Sequence, residues 1–228
     1  MAEKRKFSLV RAFAKAVLGV VLFASSLYGG WYGANYAGRG ERLTPGERTQ
    51  VEEVFGSQMN PDRIRKHMRG EDDIVHIFRD AAGMVIPPTG HIDFYGDAWH
   101  SQDYSHDTRL RYGMFMHEVT HCYQGQHLNF PLNNLHVYKY ELKPDSRFSD
   151  FGFEQQAEII RNYSENFLYP AGAHAPRNDA ERLLARVVED QFPQAKISRE
   201  RLEREREQQP HAQPVPLAPQ LPPGIKTA

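Results

Sequence analysis

The chain has 228 residues, enough for one domain with a proper core or one domain plus appendages, and its 40% hydrophobic and 25% charged residues are ordinary for a globular protein. A formal net charge of −1 argues against a nucleic-acid partner. Cys122 is the single cysteine, which excludes an intramolecular disulfide and a thiolate metal cluster.

At the N-terminus the basic residues Lys4, Arg5, Lys6, Arg11 and Lys15 precede a stretch, Ala16 to Gly38, without any charge. One reading of residues 1–38 is a cleaved secretory signal with an Ala16–Ala24 core and a small-residue site at Ala24-Ser25-Ser26. The other is an uncleaved transmembrane anchor, since the stretch exceeds the roughly 20 residues that span a bilayer. Tyr28, Trp31, Tyr32 and Tyr36 near its far end suit an interfacial belt and favour the anchor, although the glycines weaken a helix. On both readings the basic flank stays in the cytoplasm and the remainder is exported. It then lies at the periplasmic face of the inner membrane or, after cleavage, in the periplasm or outside.

Residues 39–42 read as a linker. Thr44-Pro45 followed by Glu47 is an N-cap, first-turn proline and capping-box signature, predicting a helix from about Pro45 to Phe55. Asn60-Pro61-Asp62 starts a short helix or turn. Strands are predicted at Ile74–Phe78, Met84–Ile86 and His91–Tyr95, the last two around the turn Pro87-Pro88-Thr89-Gly90. Gly96 to Asp107 is polar and reads as a loop at the mouth of a cleft, with Asp107 as N-cap of the next helix. His91, His100 and His106 are candidates there for extra ligands or substrate contacts.

The chemistry centres on Met116-His117-Glu118-Val119-Thr120-His121-Cys122-Tyr123-Gln124. On a helix, His117 and His121 lie one turn apart on one face and can share a zinc ion. Glu118 then sits beside the metal, placed to take a proton from water, which is the H-E-x-x-H arrangement of metallopeptidases. Cys122 points about 100° away from His121 and reads as a small buried hydrophobe. Pro131 to Asn134 is a turn. Farther on, Gly152 to Arg161 forms a helix burying Phe153, Ala157, Ile160 and Phe167, with Glu154, Glu158 and Arg161 on an adjoining face. Catalytic zinc wants three protein ligands and an open position. Glu154 fits the third ligand and Glu158 an acid holding a ligand histidine by its other ring nitrogen; the reverse order is also open. Tyr138, Tyr140 and Arg161 are candidate donors to a developing oxyanion.

Asn178-Asp179 caps a last helix through Leu183, Leu184, Val187 and Val188, ending near Pro193. Residues 193–228 read as a tail: Ser198 to Gln209 is nearly all charged, an exposed helix or nothing fixed, and the proline-rich end from Pro210 is expected to be disordered.

H-E-V-T-H followed by E-Q-Q-A-E resembles the gluzincin arrangement, H-E-x-x-H then E-x-x-[SA]-[DE]. Leu43-Thr44-Pro45-Gly46-Glu47, Phe55-Gly56, Thr89 to Phe94, Met116 to Gln124 and Phe153 to Ile160 further resemble bacterial zincin-like proteins described as Vgr-related or Rhs-associated. The likeness spans about residues 43–168 and departs at Cys122-Tyr123, where a β-branched residue and Trp are expected. It implies His117, His121 and Glu154 as ligands of one zinc ion, with Glu118 as base.

The expected protein is therefore α+β, with a zincin-like domain over residues 43–192 that has a small sheet and a metal-site helix. The expected reaction is hydrolysis of a peptide or amide bond by zinc-activated water, with a secretion-system or cell-envelope protein as a partner. Two other classes fit the same residues: a weakly active or non-catalytic metal-binding protein acting through its surface, and a hydrolase of cell-wall amides.

Overall fold

The structure, a computed structural model, describes residues 39–69, 83–85, 90–127, 137–170 and 173–208. The N-terminal segment 1–38, the predicted strand Ile74–Phe78, the turns at 87–89 and 131–134 and the proline-rich end lie outside the described residues. Among the described residues no helix is long and apolar enough to cross a membrane. The described residues from Glu41 onward form one compact unit, a helix-rich α+β arrangement built on a three-stranded sheet.

Helix α1 spans Pro45–Phe55. Its start is the predicted capping box: Thr44 Oγ1 accepts from Glu47 N (3.1 Å) and Glu47 Oε2 accepts from Thr44 N (2.9 Å). After 3₁₀ turns at Gly56–Gln58 and Pro61–Arg63, the second capped by Asn60, comes strand β1, Arg65–Arg69. Sequence patterning does not show this strand, because four of its five residues are cationic or imidazole. It is held instead by a distant partner. Lys66, 1% exposed, donates from Nζ to Glu47 Oε1 at 2.6 Å and to the carbonyl of Gln102 at 3.1 Å. Glu47 Oε1 also accepts from Tyr104 N at 3.0 Å. One buried carboxylate thus ties together the start of α1, the middle of β1 and the loop before the next helix.

Strand β2 (Gly83–Val85) and strand β3 (His91–Tyr95) complete the sheet in the order β1-β3-β2, parallel between β1 and β3 and antiparallel between β2 and β3. The parallel pair begins where Arg65 N donates to the Gly90 carbonyl (3.0 Å). Gly90 is obligatory there: its φ is +72° and a Cβ would collide with the Arg63 carbonyl. Ile92 and Phe94 face the core, whereas His91, Asp93 and Tyr95 occupy the other face and are buried as well.

Helix α2, Arg109–Gln126, carries the H-E-x-x-H stretch. Its N-cap is Thr108 and not Asp107; Thr108 Oγ1 accepts from Arg111 N, while Asp107 Oδ1 accepts from Thr108 N one residue earlier. Phe115 stacks on Tyr104, which packs on Phe94, joining helix to sheet (centroids 5.1 and 4.7 Å). At the other end Tyr123 stacks on Phe55 and meets Phe192 edge-on. Cys122 is buried and unpaired, as a small hydrophobe, and burial pushes its thiol pKa well up.

Helix α3 spans Phe153–Tyr163 and runs into a π turn, Ser164–Leu168. Ala157, Ile160 and Phe167 are buried as predicted; Phe153, predicted buried, is only half-buried, with one face of its ring on His121 (centroids 4.2 Å, planes 13° apart). Helix α4, Asp179–Gln191, starts at the predicted cap Asn178. It is not the last. Pro193 opens helix α5, Pro193–Gln208, in the region expected to begin a charged tail. Its charges are paired rather than free: Arg199 binds Glu189 (2.6 Å) and Glu203 (2.6 Å), Arg201 binds Glu53 of α1, and Ala195 is fully buried.

The Lys66–Glu47 pair sets a stability expectation. Lys66→Met leaves a buried carboxylate without its counter-charge and is expected to cost about 3–5 kcal/mol. In denaturant unfolding, the double variant Lys66→Met/Glu47→Gln should lose less than the sum of the single losses, because it removes both charges.

Candidate metal centre

Helices α2 and α3 bring three predicted ligands together. One ligand atom each from His117, His121 and Glu154 lies within 4.8 Å of the others. His117 Nε2 and His121 Nε2 are both 3.2 Å from Glu154 Oε2. The imidazoles, one helical turn apart, meet edge to face with centroids 4.9 Å apart. Both histidines are 5% exposed, so their imidazoles are largely withdrawn from solvent.

Glu158, one turn beyond Glu154, lies 3.3 Å from His117 Nδ1. Glu154 thus faces the nitrogens that converge, and Glu158 stands beside the other nitrogen of one ring. Burial works against a charged His117, but hydrogen bonds to Glu154 and Glu158 outweigh it and hold the ring's pKa up at about 9. Burial likewise opposes ionisation of Glu154, yet the two histidines hold its carboxyl at about 2. Glu158 is also held low, with burial overcome by His117 and Arg161.

Glu118 is 4% exposed, and burial raises its carboxyl pKa, with the charges of Glu154 and Asp93 adding to the rise. Asp93, on the polar face of β3, is thus part of the electrostatic surroundings of Glu118. Arg69 neutralises it from β1 at 3.0 Å.

Of the three candidate donors, the Tyr138 ring lies over His117 (centroids 6.1 Å, planes 22° apart) and is 38% exposed. The Tyr140 hydroxyl accepts from Asn162 Nδ2 at 2.9 Å, and burial pushes its pKa up to about 12. Arg161 is engaged by Glu165 (2.9 Å) and Glu158 (3.6 Å). Glu165 in turn reaches Arg109 at the start of α2 (3.8 Å) and packs against Gly113, where a Cβ would strike its carboxylate. A line of alternating charge therefore runs from His117 through Glu158, Arg161 and Glu165 back to Arg109.

The other candidate histidines, His91, His100 and His106, do not join this cluster. His91 Nδ1 and His67 Nε2 are 2.7 Å apart on the polar face of the sheet. His100 Nε2 bonds to the carbonyls of Arg69 (2.9 Å) and Phe94 (3.2 Å), closing the ends of β1 and β3. His106 is exposed at the end of a 3₁₀ turn, Tyr104–His106.

Sequence reasoning missed Gln124 and Gln156. Gln124 Oε1 is 2.8 Å from His121 Nδ1, and Gln124 Nε2 donates to Gln156 Oε1 at 3.0 Å. The i, i+3 spacing from His121 to Gln124 was the available signal.

No protein-family model matches the chain. It is similar to the type VI secretion system spike protein VgrG2b of Pseudomonas aeruginosa, 31% identical over 163 residues. That alignment covers 66% of this chain but spans only 16% of the spike protein's length. The solved effector domain of P. aeruginosa VgrG2b matches with 26% identity and a TM-score of 0.46, over 67% of this chain and 91% of that one. The chain is thus related by sequence to one portion of a Vgr protein.

Two outcomes follow from the geometry. Gly113→Ala is expected to displace the Glu165 carboxylate and loosen Arg161, so that denaturant unfolding shows less than the gain of about 1 kcal/mol that a Gly-to-Ala change in a helix interior usually gives. His67 is held at about 4 by burial, Arg69 and His91, against an ordinary 6.5. As pH falls below about 6.5 the unfolded chain takes up this proton before the folded one does, so stability falls until about pH 4. Melting temperatures across that window should decline less steeply in His67→Asn than in wild type.

Proposed function

We propose that this chain is a zinc-dependent metallohydrolase of the zincin type that cleaves a peptide or related amide bond. The observation that carries the reading is the convergence of His117, His121 and Glu154 within 4.8 Å, next in the chain to the buried carboxyl of Glu118. Two imidazoles and one carboxylate form a donor set suited to zinc, and three protein ligands leave a position for a reactant. When bound, the ion would supply Lewis acidity, making water easier to deprotonate and a carbonyl easier to attack. Glu118 is the proton carrier. Its raised pKa suits a group that accepts a proton from the attacking water and passes it to the leaving amine.

Glu158 holds the ring of His117 from behind, and Arg161 holds Glu158. For the oxyanion donor we assign Tyr138, because its ring lies over that of His117. β2 is an outer strand in the described sheet, and an extended peptide could pair beside such an edge. The sequence relationship to a secretion-system spike protein supports a partner in that apparatus or in the cell envelope. Export and membrane tethering through residues 1–38 belong to the same proposal.

The test is metal content and hydrolysis measured on purified wild type, His121→Ala, Glu154→Ala and Glu118→Ala. Zinc is expected in wild type, lost in the first two variants and kept in Glu118→Ala, which should lose about 10²–10⁴-fold in rate. Casein and cell-wall sacculi as parallel substrates separate a peptidase from a cell-wall amidase. Zinc bound with no activity on either would favour a metal-holding interaction protein. A wild-type chain that takes up no zinc on reconstitution overturns the enzymatic reading.

A further inference from the structure

Gln124 is wholly buried, three residues beyond His121 on the same side of α2. A buried primary amide is costly unless its hydrogen-bonding groups are satisfied. Here they are, in a fixed sense. Gln156 Nε2 lies 3.3 Å from the carbonyl of Phe148 and 3.0 Å from that of Phe151. Backbone carbonyls only accept, so the amino group of Gln156 must face them and its oxygen must face Gln124. Gln124 Nε2 lies 3.0 Å from that oxygen and 3.0 Å from the Phe153 carbonyl. Both of its neighbours accept, so this side of Gln124 is its amino group and Oε1 is left for His121. The orientation of two amides follows from three carbonyls.

An amide oxygen 2.8 Å from His121 Nδ1 requires a hydrogen on that nitrogen. In the neutral imidazole the lone pair then resides on Nε2, the atom 3.2 Å from Glu154 Oε2. We infer that Gln124 is the positioning residue for His121, fixing the Nδ1–H tautomer so that Nε2 is the metal-binding nitrogen. The inference rests on the metal-site reading above and adds a residue to it. Gln124 also grips the carbonyl of Phe153, the residue immediately before Glu154, so one side chain couples the tautomer of the second ligand to the placement of the third. His117 is not supported this way: the group facing its Nδ1 is the carboxylate of Glu158, 3.3 Å away. The two imidazoles therefore have unlike neighbours, one charged and one neutral.

The test uses the full chain as wild type, Gln124→Leu, Gln124→Glu and Gln156→Leu. Zinc affinity is measured by chelator competition, and His121 tautomer by long-range ¹H–¹⁵N correlation of the metal-free protein. Gln124→Leu is expected to lose about 10–100-fold in zinc affinity and the uniform Nδ1–H state. Gln156→Leu should shift both in the same direction by less, since it disorients Gln124 without touching His121. Gln124→Glu keeps an acceptor for Nδ1–H while losing both donors. It should recover much of the zinc affinity lost in Gln124→Leu while melting below wild type. A merely structural Gln124 would make the Glu and Leu variants equally poor in zinc binding, and that result overturns the inference. So does a Gln124→Leu protein with unchanged affinity and tautomer. If wild type binds no zinc, the metal reading fails separately, and the metal-free tautomer spectra still decide whether Gln124 sets His121.

Discussion

Helix α2 must bury two unlike stripes at once. Phe115, Val119 and Cys122 enter the apolar core, while His117, Glu118, His121 and Gln124 on the same 18-residue helix are also 5% exposed or less. An apolar stripe needs only contact, but a buried polar stripe needs specific partners at hydrogen-bond distance. That asymmetry governs how α3 is placed. Its N-terminal turns deliver Glu154 and Glu158 to His117 and His121, and Gln156 to Gln124. A shift of α3 by one residue would strand several buried polar groups together. The sheet, α1 and the Phe55–Tyr123–Phe192 cluster cover the opposite side.

The electrostatic character of the site follows from the same crowding. His117 lies between two carboxylates in a water-poor setting, so its proton affinity rises and theirs fall. Glu118 lacks a hydrogen-bonded cation of comparable closeness, and burial dominates its behaviour. Three acids and the His117 imidazole thus separate into groups that hold charge, His117, Glu154 and Glu158, and one that resists it, Glu118. Outward from His117 the charge alternates through Glu158, Arg161 and Glu165 to Arg109, so the site's surplus charge is balanced by α2 itself.

How much could be read beforehand depended on the distance over which each interaction acts. The α1 cap, the 3₁₀ turn after Asn60, the Asn178 cap and the helical spacing of the H-E-x-x-H residues are local, and they stand as expected. β1 was invisible because the partner that makes Lys66 an interior residue, Glu47, is nineteen positions away. Helix α5 was only half legible: its run of charges suggests solvent, yet Arg199 and Arg201 find their acids on α4 and α1. Thr108 took the cap expected of Asp107, a competition between adjacent side chains that a single residue's preference does not resolve.

From sequence alone, the chemistry was set by residue type and spacing: two histidines four apart, a glutamate between them and an E-x-x-x-E helix downstream. Those are properties of one helix each, and helical geometry guarantees them. Which glutamate faces the converging nitrogens, which tyrosine lies over His117, and which amide meets His121 Nδ1 were decided only by the packing of α3 and its preceding loop against α2. The reason is physical: a ligand set and its supports are made of contacts between segments remote in the chain, and their register depends on satisfying every buried polar group at once.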